Sequence, residues 1–269
     1  MSNIDIPFNE NDLLALAESI KKIVLDVGSF LANAPISKVT AKNAGSANFV
    51  TDLDLTVQNM LVEKIEPLLP GAIFILEESD ELPEAPDFAW VIDPIDGTKN
   101  LINHYMESCI SVGLVYRNIG VIGMVYNPFR NELFSGIIGH GAYLNGAPIH
   151  SSDVELAEAI VCLGTSAYYP ELYQKTADCM GKLYPVTADF RRAGSAALEL
   201  CYLACGRLDA FIEYRLCPWD FAAATTIIRE AGGVIDSVEP EGLDLTKHSG
   251  IVAGAKNVFD AFQKVVRSI

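Results

Sequence analysis

The most informative segment of this 269-residue chain reads Trp90-Val91-Ile92-Asp93-Pro94-Ile95-Asp96-Gly97-Thr98. Residues 88–92 form a short apolar run between chain breakers, which predicts a buried β-strand. We expect the strand to end at Pro94, because proline has no N–H to donate to a sheet ladder. The turn that follows can then bring the carboxylates of Asp93 and Asp96 to one point.

This turn has the residue types of a metal and phosphate site. Two carboxylates at one point repel each other unless a cation lies between them, and hard oxygen ligands of this kind suit Mg²⁺. Gly97 allows the backbone to approach a ligand closely, and Thr98 can open a helix whose free N–H groups face an anion. The alternative interpretation is an acidic surface turn, since Asp-Pro and Asp-Gly pairs are common in turns.

The overall charge limits the partners of the chain. The formal net charge is −16, from 35 acidic and 19 basic residues. A surface of that sign repels nucleic acid and anionic membranes, so we expect neither as a partner. Binding of a small phosphorylated metabolite then requires metal ions that reverse the local charge.

The cysteines and the apolar segments predict a reduced, cytoplasmic protein. The six cysteines follow no spacing of a disulfide framework, and the first residues lack the basic and apolar regions of a signal peptide. The apolar segment 110–126 is interrupted by Arg117 and Asn118, which predicts a hairpin rather than a membrane span.

Helices and strands are predicted along the whole chain. Apolar residues at helical spacing over 13–31 predict a first helix capped by Asn9 or Asn11, and residues 37–48 predict a flexible loop. A second helix opens near residue 52. Buried strands follow at 72–76 and 88–92, then an antiparallel meander at 109–116, 121–126 and 132–138, and from residue 160 strands and helices alternate.

Several polar residues lie at the ends of these predicted elements. Asp54 begins the second helix, where an acidic residue often only favours the helix dipole. Glu77 ends the strand at 72–76, although solvated glutamates are common. Gly194 and Ser195 place small residues at a helix start, a possible set of N–H donors. Asp220 precedes a small-residue helix and can be an ordinary N-cap.

Taken in chain order, these pieces resemble a known family. They are Lys42, Asp54, Glu77-Glu78-Ser79, the segment from Asp93 to Thr98, Gly194-Ser195-Ala196, Glu213 and Trp219-Asp220. The set strongly resembles the inositol monophosphatase family of magnesium-dependent, lithium-sensitive phosphatases, over nearly the whole chain after the first helix. The aspartate turn and the Trp-Asp pair are its specific motifs.

The resemblance implies the fold and the organisation of the chain. It implies an α+β protein, a layered α/β/α/β/α sandwich of the inositol monophosphatase and fructose-1,6-bisphosphatase type, that forms a homodimer. We divide the chain into an N-terminal α+β part with the metal-binding turn, residues 1–150, and a C-terminal α/β part, residues 151–269. Together they are expected to form one compact catalytic unit.

The resemblance also implies which residues bind the cofactor Mg²⁺. Glu77, Asp93 and the carbonyl of Ile95 would hold one ion. Asp93, Asp96 and Asp220 would hold a second, and Glu77 would contribute to a third. An activated water then attacks phosphorus, so no serine or cysteine nucleophile is needed.

The remaining site residues are implied in the same way. Asp54 and Thr98 would orient or activate the attacking water, with Glu77 as a third catalytic residue. Glu213 and Ala196 would meet substrate hydroxyls, and Lys42 would lie in a mobile loop near the site. The substrate contacts implied altogether are Lys42, Asp96, Gly97, Thr98, Gly194, Ser195, Ala196, Glu213 and Asp220.

The sequence departs from the family pattern at several positions without losing a metal ligand. Lys99 replaces the threonine usual in inositol phosphatases and resembles the related 3′-phosphoadenosine 5′-phosphate phosphatases, which usually follow it with Glu rather than Asn100. The other departures are at Leu76, Asn103, Met106 and Ala224.

These observations leave several substrates open. Inositol monophosphate or a similar small polyol phosphate is the leading substrate, and 3′-phosphoadenosine 5′-phosphate, fructose 1,6-bisphosphate and histidinol phosphate are alternatives. A non-catalytic binding or regulatory module on the same fold ranks lower, because a retired enzyme often loses a ligand.

Overall fold

The computed structural model describes residues 6–35, 39–41, 49–79 and 87–269. Its helices are α1 (Glu10–Asn33), α2 (Asp52–Ile65), α3 (Thr98–Ile102), α4 (Tyr173–Leu183), α5 (Ala196–Ala204), α6 (Pro218–Glu230) and α7 (Lys256–Val266). Its strands are β1 (Val39–Ala41), β2 (Phe49–Thr51), β3 (Ile73–Leu76), β4 (Phe88–Asp96), β5 (Cys109–Tyr116), β6 (Ile119–Asn127), β7 (Glu132–Ile137), β8 (Gly141–Leu144), β9 (Ala147–Pro148), β10 (Ile160–Leu163), β11 (Asp189–Arg191), β12 (Ala210–Leu216), β13 (Val234–Ser237) and β14 (Ser249–Gly254).

The strands form two main sheets. The first has seven strands in the order β3-β4-β5-β6-β7-β8-β9, with β3 parallel to β4 and the other neighbours antiparallel. The second has five strands in the order β11-β10-β12-β14-β13 and is mixed, with β10 parallel to both β11 and β12. The antiparallel meander predicted for residues 109–138 is confirmed as β5 to β7.

Helices cover both faces of both sheets, which confirms the layered α/β/α/β/α architecture. Helices α1 and α2 share a core with one face of the first sheet, where Ile20 and Leu61 pack with Trp90. Helices α5 and α6 lie between the sheets, in a core that contains residues of both. Helices α4 and α7 cover the outer face of the second sheet.

Helix α6 lies unusually close to the first sheet. A Cβ on Gly123 in β6 would lie 2.1 Å from the carbonyl oxygen of Ala223, and one on Gly136 in β7 would lie 2.8 Å from the Cα of Ile227. Only glycine permits this approach, and the approach fixes the start of α6, where Asp220 lies, against the sheet.

Some local predictions were wrong. Strand β4 does not stop at Pro94 but runs to Asp96. Residues 37–48 are not loop throughout, because Val39–Ala41 pairs with Phe49–Thr51. Asp220 is the third residue of α6 rather than its N-cap, which is Cys217.

Other predictions of the sequence are tested only in part. The described part of the chain contains no helix long and apolar enough to cross a membrane. All six cysteines are free thiols. Lys42 lies outside the described residues.

Candidate active site

A β-bulge in β4 brings Asp93 and Asp96 together. Asp93 pairs with Ser111 and Asp96 with Cys109, so two residues of β4 stand opposite one residue of β5. In a regular strand, side chains three positions apart point to opposite faces, and the extra residue returns Asp96 to the face of Asp93. Pro94 lies in the bulge, one of the few places where a strand tolerates proline.

Asp220 reaches the same point from helix α6. Its Oδ2 accepts a hydrogen bond from the backbone N–H of Cys217 at 2.7 Å, which closes a capping box at the helix start. The Ser111 hydroxyl of β5 donates to the carbonyl of Trp219 at 3.2 Å. Two hydrogen bonds therefore hold the first turn of α6, one within the turn and one to the first sheet.

Four carboxylates converge at this place, and we call Glu77, Asp93, Asp96 and Asp220 the acidic cluster. One side-chain oxygen from each of the three aspartates lies within 4.8 Å of the others. Glu77 follows β3, which runs parallel to β4, and its N–H donates to the carbonyl of Ile92 at 3.3 Å. Glu77 therefore lies beside Asp93, at the point where β3 ends against β4.

Burial and mutual repulsion raise the pKa values within the acidic cluster. Burial raises the pKa of Asp93 well above its usual value, and the charges of the other three members raise it further. Burial likewise raises the pKa of Asp220 well above its usual value, with Asp96 as the next cause. For Asp96, burial raises the pKa to about 6 against hydrogen bonds that lower it. The ionised cluster therefore needs positive charge.

The N-terminus of α5 holds Asp96 in place. Both the hydroxyl of Ser195 and the N–H of Ala197 donate to Oδ2 of Asp96, each at 2.7 Å. Ser195 is the N-cap of α5 and is fully buried. The structure thus places Ser195 as a partner of Asp96, whereas Gly194 and Ala196 line the adjacent cavity.

Thr98 and Asp54 form a hydrogen-bonded pair beside the bulge. The Thr98 hydroxyl lies 3.1 Å from Oδ1 of Asp54 and 3.1 Å from the carbonyl oxygen of Ile95, and its single proton serves one acceptor at a time. Oδ2 of Asp54 accepts from the N–H and the hydroxyl of Thr51, at 2.7 Å and 2.6 Å. Asp54 is fully buried, so the hydrogen bonds from Thr51 and Thr98 take the place of water around its carboxylate.

Gly97 provides the turn between β4 and Thr98. Its φ is +87°, and a Cβ at this position would lie 2.7 Å from the carbonyl oxygen of Glu107. The predicted helix start at Thr98 is confirmed, although α3 has only five residues. Both the positive φ and the close approach of the Glu107 backbone therefore require glycine at this turn.

Glu213 and Ser166 form a second polar group in the cavity wall. Oε1 of Glu213 accepts the Ser166 N–H at 2.7 Å. Burial raises the pKa of Glu213 to about 7, although the Ser166 hydrogen bond and the nearby charge of Arg192 both lower it. Ser166 has a φ of +46°, and its buried hydroxyl has no hydrogen-bond partner among the described residues. A buried hydroxyl without a partner in a cavity wall is suited to a ligand hydroxyl.

A cavity of about 470 Å³ joins these groups. Nine substrate contacts were expected from the sequence, and Lys42 is the one that lies outside the described residues. The ones that line the cavity are Asp96, Gly97, Thr98, Gly194, Ala196, Glu213 and Asp220.

Sequence reasoning missed several residues of the cavity wall. Ser166, Tyr168, Arg192 and Arg215 line it, but none belongs to a motif or to a periodic pattern. Arg192 alone had a weak signal, since it directly precedes Ala193 and the small-residue helix start in an otherwise acidic chain.

The fold and the site together are those of a phosphatase that works with metal ions. The chain belongs to the inositol monophosphatase family, whose sequence profile matches residues 12–269. The Nus factor SuhB of Escherichia coli K12 is 38% identical over 225 residues, which are 83% of this chain and 84% of that protein. The inositol-1-monophosphatase of a Synechocystis species is 35% identical over 251 residues, 89% of this chain and 84% of the relative.

Solved structures agree with this assignment. The inositol monophosphatase of an Anabaena species superposes with a TM-score of 0.82 at 29% identity, over 96% of this chain and 97% of that one. The family and the fold expected from the sequence are both confirmed.

Proposed function

We propose that this protein hydrolyses a small phosphate monoester with Mg²⁺, and that inositol monophosphate or a similar polyol phosphate is the substrate. The acidic cluster is the observation that carries this proposal, because three aspartate oxygens within 4.8 Å of one another are suited to a divalent cation. The relative named inositol-1-monophosphatase supports the substrate class.

The donor set fits Mg²⁺. Glu77, Asp93 and the carbonyl of Ile95 would hold one ion, and Asp93, Asp96 and Asp220 a second. All of these are hard oxygen ligands, and the Ile95 carbonyl keeps a second lone pair beside the Thr98 hydroxyl. When bound, Mg²⁺ supplies the positive charge that acidifies the attacking water and neutralises the phosphate and leaving-group oxygens.

Thr98 and Asp54 would direct the proton of the attacking water. The Thr98 oxygen accepts a hydrogen bond from the water while its own proton is donated to Oδ1 of Asp54. The two hydrogen bonds from Thr51 hold the Asp54 carboxylate in this orientation. Glu77 is the third residue that we assign to water activation.

Glu213 and its neighbours would recognise the leaving group. Glu213 is buried in the cavity wall with one oxygen bonded to the Ser166 N–H, and its other oxygen and the Ser166 hydroxyl would bind substrate hydroxyls together with Ala196. The backbones of Gly97 and Thr98 would contact the phosphate.

Three further residues would contribute from the periphery. Gly194 and Ser195 would support phosphate binding from the start of α5. Lys42 would approach the site from its loop.

Other functions have less support. The relative named Nus factor SuhB raises the alternative of a binding or regulatory module, but the acidic cluster is intact, and a module that has lost catalysis has no need of it. Among substrates, 3′-phosphoadenosine 5′-phosphate, fructose 1,6-bisphosphate and histidinol phosphate are the alternatives. We expect a homodimer.

Phosphate release from these four substrates and from an aryl phosphate tests the proposal. We expect activity with Mg²⁺, loss of activity in excess chelator, and inhibition by Li⁺ and by excess Mg²⁺. Undiminished activity in chelator, or no activity on any ester with Mg²⁺, would contradict the proposal.

A further inference from the structure

The peptide group of Ala193 is held from both sides. Its carbonyl accepts a hydrogen bond from Nδ2 of Asn100 at 2.9 Å, and its N–H donates to Oε1 of Glu199. The same oxygen of Glu199 accepts the N–H of Gly194 at 3.1 Å. The backbone that enters α5 is therefore fixed two residues before the N-cap, Ser195.

Asn100 connects this backbone to another part of the cavity wall. It belongs to the short helix α3, which begins at Thr98, and its Nδ2 also donates to the carbonyl of Glu107 at 2.6 Å. A Cβ on Gly97 would lie 3.4 Å from this nitrogen, and one on Gly194 would lie 3.6 Å from it. One side-chain amide therefore connects the turn at Gly97, the segment before β5 and the entry to α5.

This connection leads to a proposed metal ligand. The Ser195 hydroxyl and the Ala197 N–H, at the start of α5, both donate to Oδ2 of Asp96 at 2.7 Å. The position of these two donors depends on where the chain enters α5, which the bonds to Ala193 fix. Hydrogen bonds that orient a metal-ligating side chain commonly change metal affinity when they are lost.

Stabilisation of helix α3 alone does not explain the contacts of Asn100. Asn103, in the same turn of chain, shows what such a local role looks like, since it is exposed and its Nδ2 donates to the carbonyl of Lys99 at 2.7 Å. That bond stays within four residues. The bond from Asn100 to Ala193 spans 93 residues of sequence and joins α3 to the start of α5.

We propose that Asn100 is a positioning residue for the second Mg²⁺, because it holds the entry to α5 where Ser195 and Ala197 orient Asp96. This inference rests on the proposed metal-dependent function. It adds a residue that acts through Asp96 rather than on the substrate.

Mg²⁺ binding by the Asn100→Ala variant tests this role. The rise of the melting temperature with Mg²⁺ concentration gives an apparent Kd for the folded chain without any substrate. This Kd should increase about tenfold, the lower end of the effect typical of residues that support metal ligands. At saturating Mg²⁺, the KM for an aryl phosphate should stay near the wild-type value. A raised KM with an unchanged Kd would make Asn100 a substrate contact and overturn the proposal.

Asn103→Ala is the matched control. It removes the same amide from a neighbouring position, together with one hydrogen bond to a backbone carbonyl, and it should leave the Kd for Mg²⁺ unchanged. Equal increases of Kd in the two variants would mean that any loosening of α3 weakens the metal site, which would overturn a specific role of Asn100.

A double-mutant cycle with Ser195→Ala tests how the effect reaches Asp96. If Asn100 acts through the donors at the start of α5, Asn100→Ala should raise the Kd less in the Ser195→Ala background than in wild type. Independent residues would instead give additive changes in binding free energy, and full additivity would contradict the proposal.

Amide hydrogen exchange in the wild type needs no variant and decides the case even if Asn100→Ala does not fold. Coupling between two sites is reciprocal, so Mg²⁺ should slow the exchange of the Ala193 and Gly194 N–H groups, followed by NMR. Unchanged exchange of both groups while Mg²⁺ raises the melting temperature would contradict the proposal.

The two proposals fail in different ways. A wild type that binds Mg²⁺ as described but hydrolyses no ester would overturn the phosphatase function alone. A wild type whose melting temperature does not respond to Mg²⁺ would overturn the metal-dependent function and this inference with it.

Discussion

The chain buries carboxylates in two different ways. Glu107 is 7% exposed and is neutralised within the chain, by an ion pair with Arg130 and a 2.6 Å hydrogen bond from the Tyr202 hydroxyl. In the acidic cluster, Asp93 and Asp96 accept hydrogen bonds from N–H and O–H groups, but no described arginine or lysine pairs with them.

The difference separates a structural carboxylate from a functional one. At Glu107, where burial serves the fold, the chain provides its own counterion. Where it serves chemistry, repulsion among the carboxylates remains, and an external cation is expected to offset it.

The largest effect is expected from Asp93→Asn. The change removes a carboxylate shared between both proposed metal positions while preserving the side-chain shape. Loss of a group that only supports a metal ligand typically lowers activity about 10–100-fold, so kcat/KM should fall by more than about 100-fold. Steady-state kinetics at saturating Mg²⁺ checks this, with circular dichroism as evidence of folding. A loss below tenfold in a folded variant would show that Asp93 is not a ligand.

The second-largest effect is expected from Glu213→Gln. This variant tests substrate recognition, whereas Asp93→Asn tests metal binding. The Glu213 carboxylate should accept hydrogen bonds from substrate hydroxyls, and an aryl leaving group offers none. Loss of such an acceptor typically corresponds to about 1–3 kcal/mol, or roughly 5–150-fold. The ratio of kcat/KM for inositol monophosphate to that for aryl phosphate should fall accordingly. Equal losses on both substrates would remove Glu213 from the recognition site.

Glu107→Gln should affect stability more than activity. The variant leaves Arg130 without its charged partner and weakens the bond from Tyr202, which we expect to lower the free energy of unfolding by about 1–3 kcal/mol. Urea unfolding with and without Mg²⁺ measures how much the metal raises the free energy of unfolding. This increment should be the same in the variant as in wild type. A reduced increment would mean that the two acidic sites are coupled.

The metal-free protein should lose stability as pH rises. The folded-state pKa values of Asp96, about 6, and Glu213, about 7, exceed the usual values of about 4. The folded state therefore binds more protons than the unfolded chain between these limits, and the free energy of unfolding falls as pH rises from about 4 to about 7. Melts in chelator across this range check the sign, and Glu213→Gln should flatten the curve.

Much of this site could be predicted from the sequence because its ligands lie in local motifs. The Asp-Pro-Ile-Asp-Gly-Thr segment and the Trp-Asp pair identified Asp93, Asp96 and Asp220 without knowledge of the fold. Strand and helix periodicity likewise predicted the meander β5 to β7 and helix α1.

The missed features depend on contacts between distant segments. The bulge in β4 depends on its register with β5, which no local pattern shows. Ser195 becomes a partner of Asp96 only because α5 packs between the sheets. Arg192 lies near Lys99 because the side chain of Asn100, the residue after Lys99, donates a hydrogen bond to the carbonyl of Ala193. Pairings across about 90 residues leave no periodic signal in either segment.

Thermal melts of wild type and Asp96→Asn at pH 8, in chelator and in Mg²⁺, test most directly whether the acidic cluster is a cation site. Burial raises the pKa of Asp96 to about 6 although Ser195 and Ala197 donate hydrogen bonds to its carboxylate, so removing the charge should stabilise the metal-free protein. Mg²⁺ that binds only the folded state raises the melting temperature. We predict that Asp96→Asn melts at or above wild type in chelator, gains less from Mg²⁺ and loses nearly all activity. A variant destabilised equally in chelator and Mg²⁺, with turnover preserved, would contradict the account.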